Sequence, residues 1–338
     1  MFKRKLAADG IFLPTSARKY RTALIVMTLI IGILPLVAKN SYIHTLGSLV
    51  MIFSVYAISI DILTGYFGLL AIGQSAFFGF GAYTCGYLLT KMQWDYIPAI
   101  LMGLVMAGLL SLVFGLITIK TWDNTFFMIT IALVQLIWGI AYKATAITGG
   151  ENGMGGIKRP HFFGINFSNS VNFYYLLFIV MVLVIILAYR FVNSPFGLTV
   201  HGIRESRKRM RALGYNIYMH KLITYVFAGL LSGLAGIMYC LFNRFVSHSD
   251  INTMASSMAF LMTLLGGAGS LVGAMMGSTV IIILRNVISS LTDRWTMVMG
   301  VLYILVVMLS PGGVVGTYQN VVKYVLKRRD RIKKTLVN

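Results

Sequence analysis

Three observations predict an all-α fold for this chain, a polytopic integral membrane bundle of about 8–10 transmembrane spans. Of its 338 residues, 58% are hydrophobic and only 11% charged, whereas soluble globular domains run near 45–50% apolar and about 25% charged. Mean hydropathy is +0.81, and the apolar residues fall into runs close to the ~20 residues that span a bilayer. The 29 Lys and Arg residues cluster at the ends of those runs. A net charge of +20 could suggest nucleic acid, but phosphate-binding patches lie on folded soluble surfaces, so no nucleic-acid partner is expected.

Taken in order, residues 1–21 form a basic N-terminus, residues 22–316 one membrane domain, and residues 317–338 a basic tail. The spans fall near 22–38, 42–61, 74–90, 97–119, 125–142, 173–189, 221–242, 254–267, 270–291 and 296–311. The stretches 62–73 and 254–270 are too short or too glycine-rich for plain crossings and read as broken or re-entrant. No cleavable signal peptide is expected, because the first apolar run starts near Thr22 and no small-residue cleavage site follows it. Cys85 and Cys240 both fall inside apolar runs, so neither a disulfide nor a metal site is expected.

Charge sets the orientation. Six crossings separate the N-terminus from the segment Arg190–Lys221, and four more lead to the tail, so all three basic regions share a side. That topology puts 21 basic residues on one side and 7 on the other, with Arg285 inside a span. Basic loops are retained in the cytoplasm, so both termini are expected there, with the tail also touching anionic lipid.

Arg190–Lys221 is the longest polar break in the chain, with seven basic residues against Glu205 alone. Ser194-Pro195-Phe196-Gly197 ends one helix, and the pattern predicts a short helix from Val200 to Leu213 closed by Gly214. Its apolar edge is Ile203, Met210 and Leu213, and its other face is basic. Two readings stand side by side: a solvated connector near lipid headgroups, or a lever seated in a groove of a soluble partner.

Ionisable residues within the spans are scarce. Asp61 is the one carboxylate at or inside an apolar run and Arg285 the one base. Asp61 is either a helix-end residue near the headgroups or a functional intramembrane charge, and Arg285 snorkels outward. Proton- or sodium-driven carriers use intramembrane acidic or histidine relays, of which the chain offers almost none. Gly229/Gly233 and Gly269/Gly273/Gly277 place glycine every fourth residue, a close-packing pattern. Thr64–Gly73 differs, because its irregular glycines point to non-helical backbone beside a transport path. With the glycine-rich Leu265–Gly277 it hints at an internal repeat. Thr148–Ile157 is rich in glycine but lacks the Gly-Lys-Ser/Thr of a phosphate loop and reads as a surface turn or docking surface on the outer side.

Four segments in order resemble the permease subunits of branched-chain amino-acid ABC importers, the LivM-type family: Asp61–Tyr83, Thr148–Ile157, Leu264–Gly273, and Phe196–Leu198 followed by Ile203–Ser206 and Ala212–Gly214. The resemblance covers residues 45 to 316. It implies a non-catalytic subunit without a cofactor of its own in a bacterial inner membrane. Its partners would be an identical or paralogous second permease, two ABC ATPases that bind the ATP, and an extracytoplasmic solute-binding protein. By the same resemblance Arg204, Glu205, Arg207, Leu213 and Gly214 would engage the ATPase, while Asp61, Gly65, Tyr66, Gly68, Gly73, Gln74, Phe77 and Phe78 would shape the translocation path.

The chain departs from the family pattern of Asn at the place of Asp61, His at that of Gln74, and a second acidic residue near Arg207. With Lys208, Arg209 and Arg211, the last departure implies an unusually acidic groove on the ATPase. Import of leucine, isoleucine or valine is the expected function, with urea, a short amide or another amino acid as alternative solutes. A stand-alone ion-coupled carrier or channel is the alternative class, with Asp61 as its one candidate ion site.

Overall fold

The computed structural model describes residues 17–304 apart from 38–39, 158, 160, 163–164, 168, 295 and 302–303. Residues 1–16, most of the expected span 296–311 and the tail 317–338 lie outside the described residues. The long helices are α1 (Ala17–Val37), α2 (Ser41–Asp61), α3 (Gln74–Thr90), α4 (Tyr96–Thr118), α5 (Asp123–Lys143) and α6 (Ser170–Asn193). Two short helices, α7 (Pro195–Glu205) and α8 (Arg207–Ala212), precede α9 (Ile217–Asn243), α10 (Thr253–Gly266) and α11 (Leu271–Leu291).

Six of these are long and apolar enough to cross a membrane: α2 with its extension to Phe67, α4, α5, α6, α9 and α11. Their burial grades from centre to rim, with α11 at 50% and α6 at 39% between the extremes. The apolar window of α2 is 83% buried and that of α9 67%, against 28% for α4 and α5, so α2 and α9 form the centre and α4 and α5 show a face outward. On α4 that face is Leu101, Val105, Leu109, Leu112 and Leu116, an exposed stripe at helical spacing that suits hydrocarbon.

Glycine lets the central helices touch. A Cβ on Gly236 of α9 would lie 1.8 Å from the Phe78 carbonyl oxygen of α3, and one on Gly277 of α11 1.8 Å from that of Met262 of α10. Of the glycines at fourfold spacing, Gly273 and Gly277 thus face backbone of the α10 end, while Gly229 and Gly233 receive the side chains of Ser111 and Ala107 of α4.

Interruptions distinguish this bundle from a plain one. After α2 the chain continues as one wide π-helical turn, Ile62–Phe67, and residues 68–73 are non-helical. At 14 residues, α10 is about 21 Å long at ~1.5 Å per residue, short of the ~30 Å hydrocarbon core. It ends in the loop 267–270, where the chain turns back into α11.

The basic segment corrects the sequence reading. The single helix expected over Val200–Leu213 is two helices, and the first begins at Pro195, directly after α6 ends at Asn193 as expected. Pro195 sits at the first helical position behind Ser194, whose hydroxyl accepts from the Gly197 N–H at 3.1 Å. Proline is tolerated at that position because it lacks only a donor that would be unpaired anyway. Ser206, extended at φ −160°, breaks the pattern and caps α8 by accepting from the Arg209 N–H. Gly214 ends α8 at φ 85°, with the Tyr215 N–H returning to the Met210 carbonyl at 3.2 Å.

On the opposite face, β1 (Met154–Gly155) pairs antiparallel with β4 (Phe245–Val246), and β2 (His161–Phe162) with β3 (Ile165–Asn166). Beside β1 a cavity of about 770 Å³ opens among Lys91, Trp94, Tyr96, Thr145 and Met154.

Candidate coupling and translocation site

The two glycine-rich interruptions meet. The Asp61 carboxylate at the end of α2 accepts from the Gly269 N–H at 2.6 Å, through its Oδ1, so a core helix is tied to the turn between α10 and α11. Gly65 is what permits this contact, because a Cβ there would lie 2.1 Å from both Asp61 Oδ1 and Gly269 N. The turn then closes at Gly68, which takes φ 82° and donates to the Leu63 carbonyl, joined by the Leu69 N–H at 2.9 Å. Glycine reaches that conformation without strain.

The basic segment reaches into the same junction. Arg204, at the last turn of α7, donates from Nη1 to the Gly65 carbonyl. Its side chain lies along Gly68, where a Cβ would meet Arg204 Cγ at 2.7 Å, and its charge attracts the buried Asp61 carboxylate. Val200 and Ile203 of α7 are buried against the bundle, while Leu198 and Leu213 remain 70% and 67% exposed. Glu205 lies 3.9 Å from the His201 imidazole. Burial pushes that imidazole below its usual range, opposed in part by Glu205 and reinforced by Arg204.

Arg207 does not simply face a partner. It makes a two-pronged ion pair with Asp123 at the start of α5, at 3.0 and 2.5 Å. The other basic residues of α8, Lys208, Arg209 and Arg211, are exposed.

A second locus lies deep in the bundle. Phe67 stacks on Trp122 at the α4–α5 turn, but Gly73 packs against Thr130, well into α5. Residues 68–73 therefore run inward, and α3 starts inside the bundle: the Gln74 carbonyl accepts from Ser232 Oγ at 2.7 Å, about midway along α9. The first turn of α3 faces the first turn of α10, since the Ser75 N–H donates to Ser256 Oγ at 2.8 Å and Tyr56 OH lies 3.3 Å from the same hydroxyl. The Gln74 side chain is fully buried, and neither its Nε2 nor its Oε1 has a protein hydrogen-bond partner. Leaving a buried polar group so costs about 1–3 kcal/mol.

Most of the residues expected to shape a path or a coupling surface gather at these two loci. Asp61, Gly65 and Gly68 form the junction with Arg204, with Tyr66 half-buried in the same turn. Gly73 and Gln74 lead into the deep locus. Phe77 packs edge-on to Phe114 and Tyr225 at 5.5 and 5.6 Å, and Phe78 lies 4.8 Å from Tyr56 and 5.4 Å from Tyr239, so both rings belong to the packed centre. Glu205, Leu213 and Gly214 stay on the exposed side of the basic segment. Sequence reasoning missed Trp122, Asp123 and Ser256, and passed over Lys221 as one more loop charge.

The interrupted helices, the buried polar turn at α3 and the surface segment tied to the break define a multi-pass membrane protein of the transport class. The model of the family described as branched-chain amino acid transport system / permease component matches residues 42–308, and the chain belongs to that family. It is similar to the high-affinity branched-chain amino acid transport system permease protein LivM of Escherichia coli strain K12, 23% identical over 291 residues, covering 79% of this chain and 68% of that protein. The LivM protein of Salmonella typhimurium is 24% identical over 294 residues with the same coverage. A probable branched-chain amino acid transport permease protein LivM of Methanocaldococcus jannaschii is 23% identical over 238 residues, 65% of this chain and 69% of that one. No solved structure matches the chain.

Proposed function

We propose that the chain is the permease subunit of an ATP-binding-cassette importer for branched-chain amino acids in a bacterial inner membrane. Separate ATPases would bind and hydrolyse the ATP on the cytoplasmic side, where the basic segment and both termini lie. A second permease, identical or paralogous, would complete the pathway, and an extracytoplasmic binding protein would deliver the solute at the opposite face, beside the Thr148–Ile157 loop. The observation that carries this reading is the bond from Arg204 to the Gly65 carbonyl, since a surface helix that holds a core-helix break can move it. Exposed Leu198 and Leu213 with Lys208, Arg209 and Arg211 supply the apolar and basic contacts of a seated helix. Arg207, already paired with Asp123, contributes less to an acidic groove than its exposed neighbours.

The solute's polar groups would meet the deep locus. The N-terminus of α3 carries partial positive charge suited to a carboxylate, and the buried Gln74 amide has both a donor and an acceptor to offer. Asp61 is engaged by Gly269 and attracted by Arg204, which favours a structural role over an ion-coupling one. Co-purification with an ATPase, followed by ATP-dependent leucine uptake into proteoliposomes with the matching binding protein, tests the reading. Uptake by the chain alone under an ion gradient would contradict it.

A further inference from the structure

The basic segment has a second hold on the bundle, centred on a residue that carries no family motif. Trp122 forms the turn between α4 and α5, and three elements converge on its indole ring. Phe67, at the end of the interrupted α2, stacks on it at 6.1 Å and 15°. The Arg207 guanidinium of α8 lies 4.3 Å from its centroid while gripping the adjacent Asp123 with both nitrogens. The Lys221 ammonium of α9 lies 4.7 Å from it and 4.6 Å from the Phe126 ring.

Lys221 is only 2% exposed, an unusual place for a lysine. It is accommodated because Nζ donates to the carbonyls of Thr118, at 2.5 Å, and of Thr121. Thr118 is the last residue of α4, so the ammonium sits at the negative end of that helix. Arg207 of α8 and Lys221 of α9 are thus both spent on the α4–α5 turn. Bidentate pairs and ring stacking hold geometry as well as position, so α8 cannot shift while the turn stays in place without breaking several contacts at once.

We infer that Trp122 is a positioning residue that makes the α4–α5 turn and the α2 break move as one body with the basic segment. Arg204 holds the break by its backbone, and Trp122 holds its flank through Phe67. The inference rests on the ATP-driven reading above and names the residues through which that coupling passes.

The complex of this chain with its ATPases, reconstituted in liposomes with the leucine-binding protein, tests it through Trp122→Leu and Trp122→Phe, read as leucine imported per ATP hydrolysed. The Leu variant is expected to keep its ATPases and its hydrolysis while import per ATP falls roughly tenfold, within the usual range of coupling between linked sites. The Phe variant, which keeps a ring for Phe67 and Arg207, restores most of the ratio. A wild-type ratio in Trp122→Leu overturns the relay.

Hydrogen exchange on the wild-type complex gives a second reading that needs no variant to fold. Nucleotide binding should change protection at 119–123 and 62–68 together with 205–214, and a change confined to 205–214 overturns the relay. Absence of any ATPase from the purified wild-type chain is the distinct outcome that overturns the ATP-driven reading, and the relay with it.

Discussion

The guanidinium of Arg204 donates to the main-chain carbonyl of Gly65, so a side chain of the basic segment closes the interruption of a core helix. That carbonyl lies in the wide turn where α2 loses its regular ladder, and a cation is well suited to an acceptor left free by such a turn.

Gly65 should tolerate no side chain. Because a Cβ would lie 2.1 Å from both Asp61 Oδ1 and Gly269 N, Gly65→Ala must push two segments apart, at ~1–3 kcal/mol for overpacking. Thermal unfolding in detergent should show the loss, while Gly139→Ala, inside α5 with nothing within 4 Å of the added methyl, should not lower the midpoint, because alanine is the better helix former.

Asp61 should act as a hydrogen-bond acceptor rather than as an ion site. Asp61→Asn keeps an oxygen for the Gly269 N–H and should retain fold and transport. Asp61→Leu leaves that N–H unpaired at a cost of ~1–3 kcal/mol. Comparing unfolding midpoints and leucine uptake for the two variants distinguishes this from an ion site, where Asn would abolish uptake.

Gln74 should trade stability for function. Its amide is fully buried with both polar atoms unpartnered, so Gln74→Leu should raise the unfolding free energy by about 1 kcal/mol, as removal of an unsatisfied group does. Import by the same variant should fall. A variant that is less stable, or that transports normally, would remove Gln74 from the path.

The basic segment should loosen in acid. Burial holds His201 below its ordinary value of 6.5, so the folded form is neutral. With a depressed folded pKa, the stabilisation is present above the unfolded value and lost as pH falls through the folded one. Unfolding midpoints should drop more steeply from about pH 7 to about pH 5 in the wild type than in His201→Gln, which has no proton to gain in that window.

Much of the bundle was legible because apolar runs announce their own length. The span expected at 125–142 is α5, Asp123–Lys143, and that at 221–242 is α9, Ile217–Asn243. The irregular glycines of Thr64–Gly73 marked the break for the same local reason, since they weaken a helix wherever they fall. What stayed hidden is pairing across the chain. Asp61 and Gly269 are 208 positions apart, Arg204 and Gly65 139, and Arg207 and Asp123 84, and no local pattern links such residues. Ser206 was misread within a continuous helical pattern because its capping bond to Arg209 depends on a backbone kink that periodicity does not report.

Arg204→Leu in the reconstituted importer is the most direct measurement of whether the basic segment works the break. Losing one charge-assisted hydrogen bond of ~1.5–3 kcal/mol should leave the ATPases bound and hydrolysing while leucine imported per ATP falls by about tenfold or more. Import per ATP equal to that of the wild type would contradict the account.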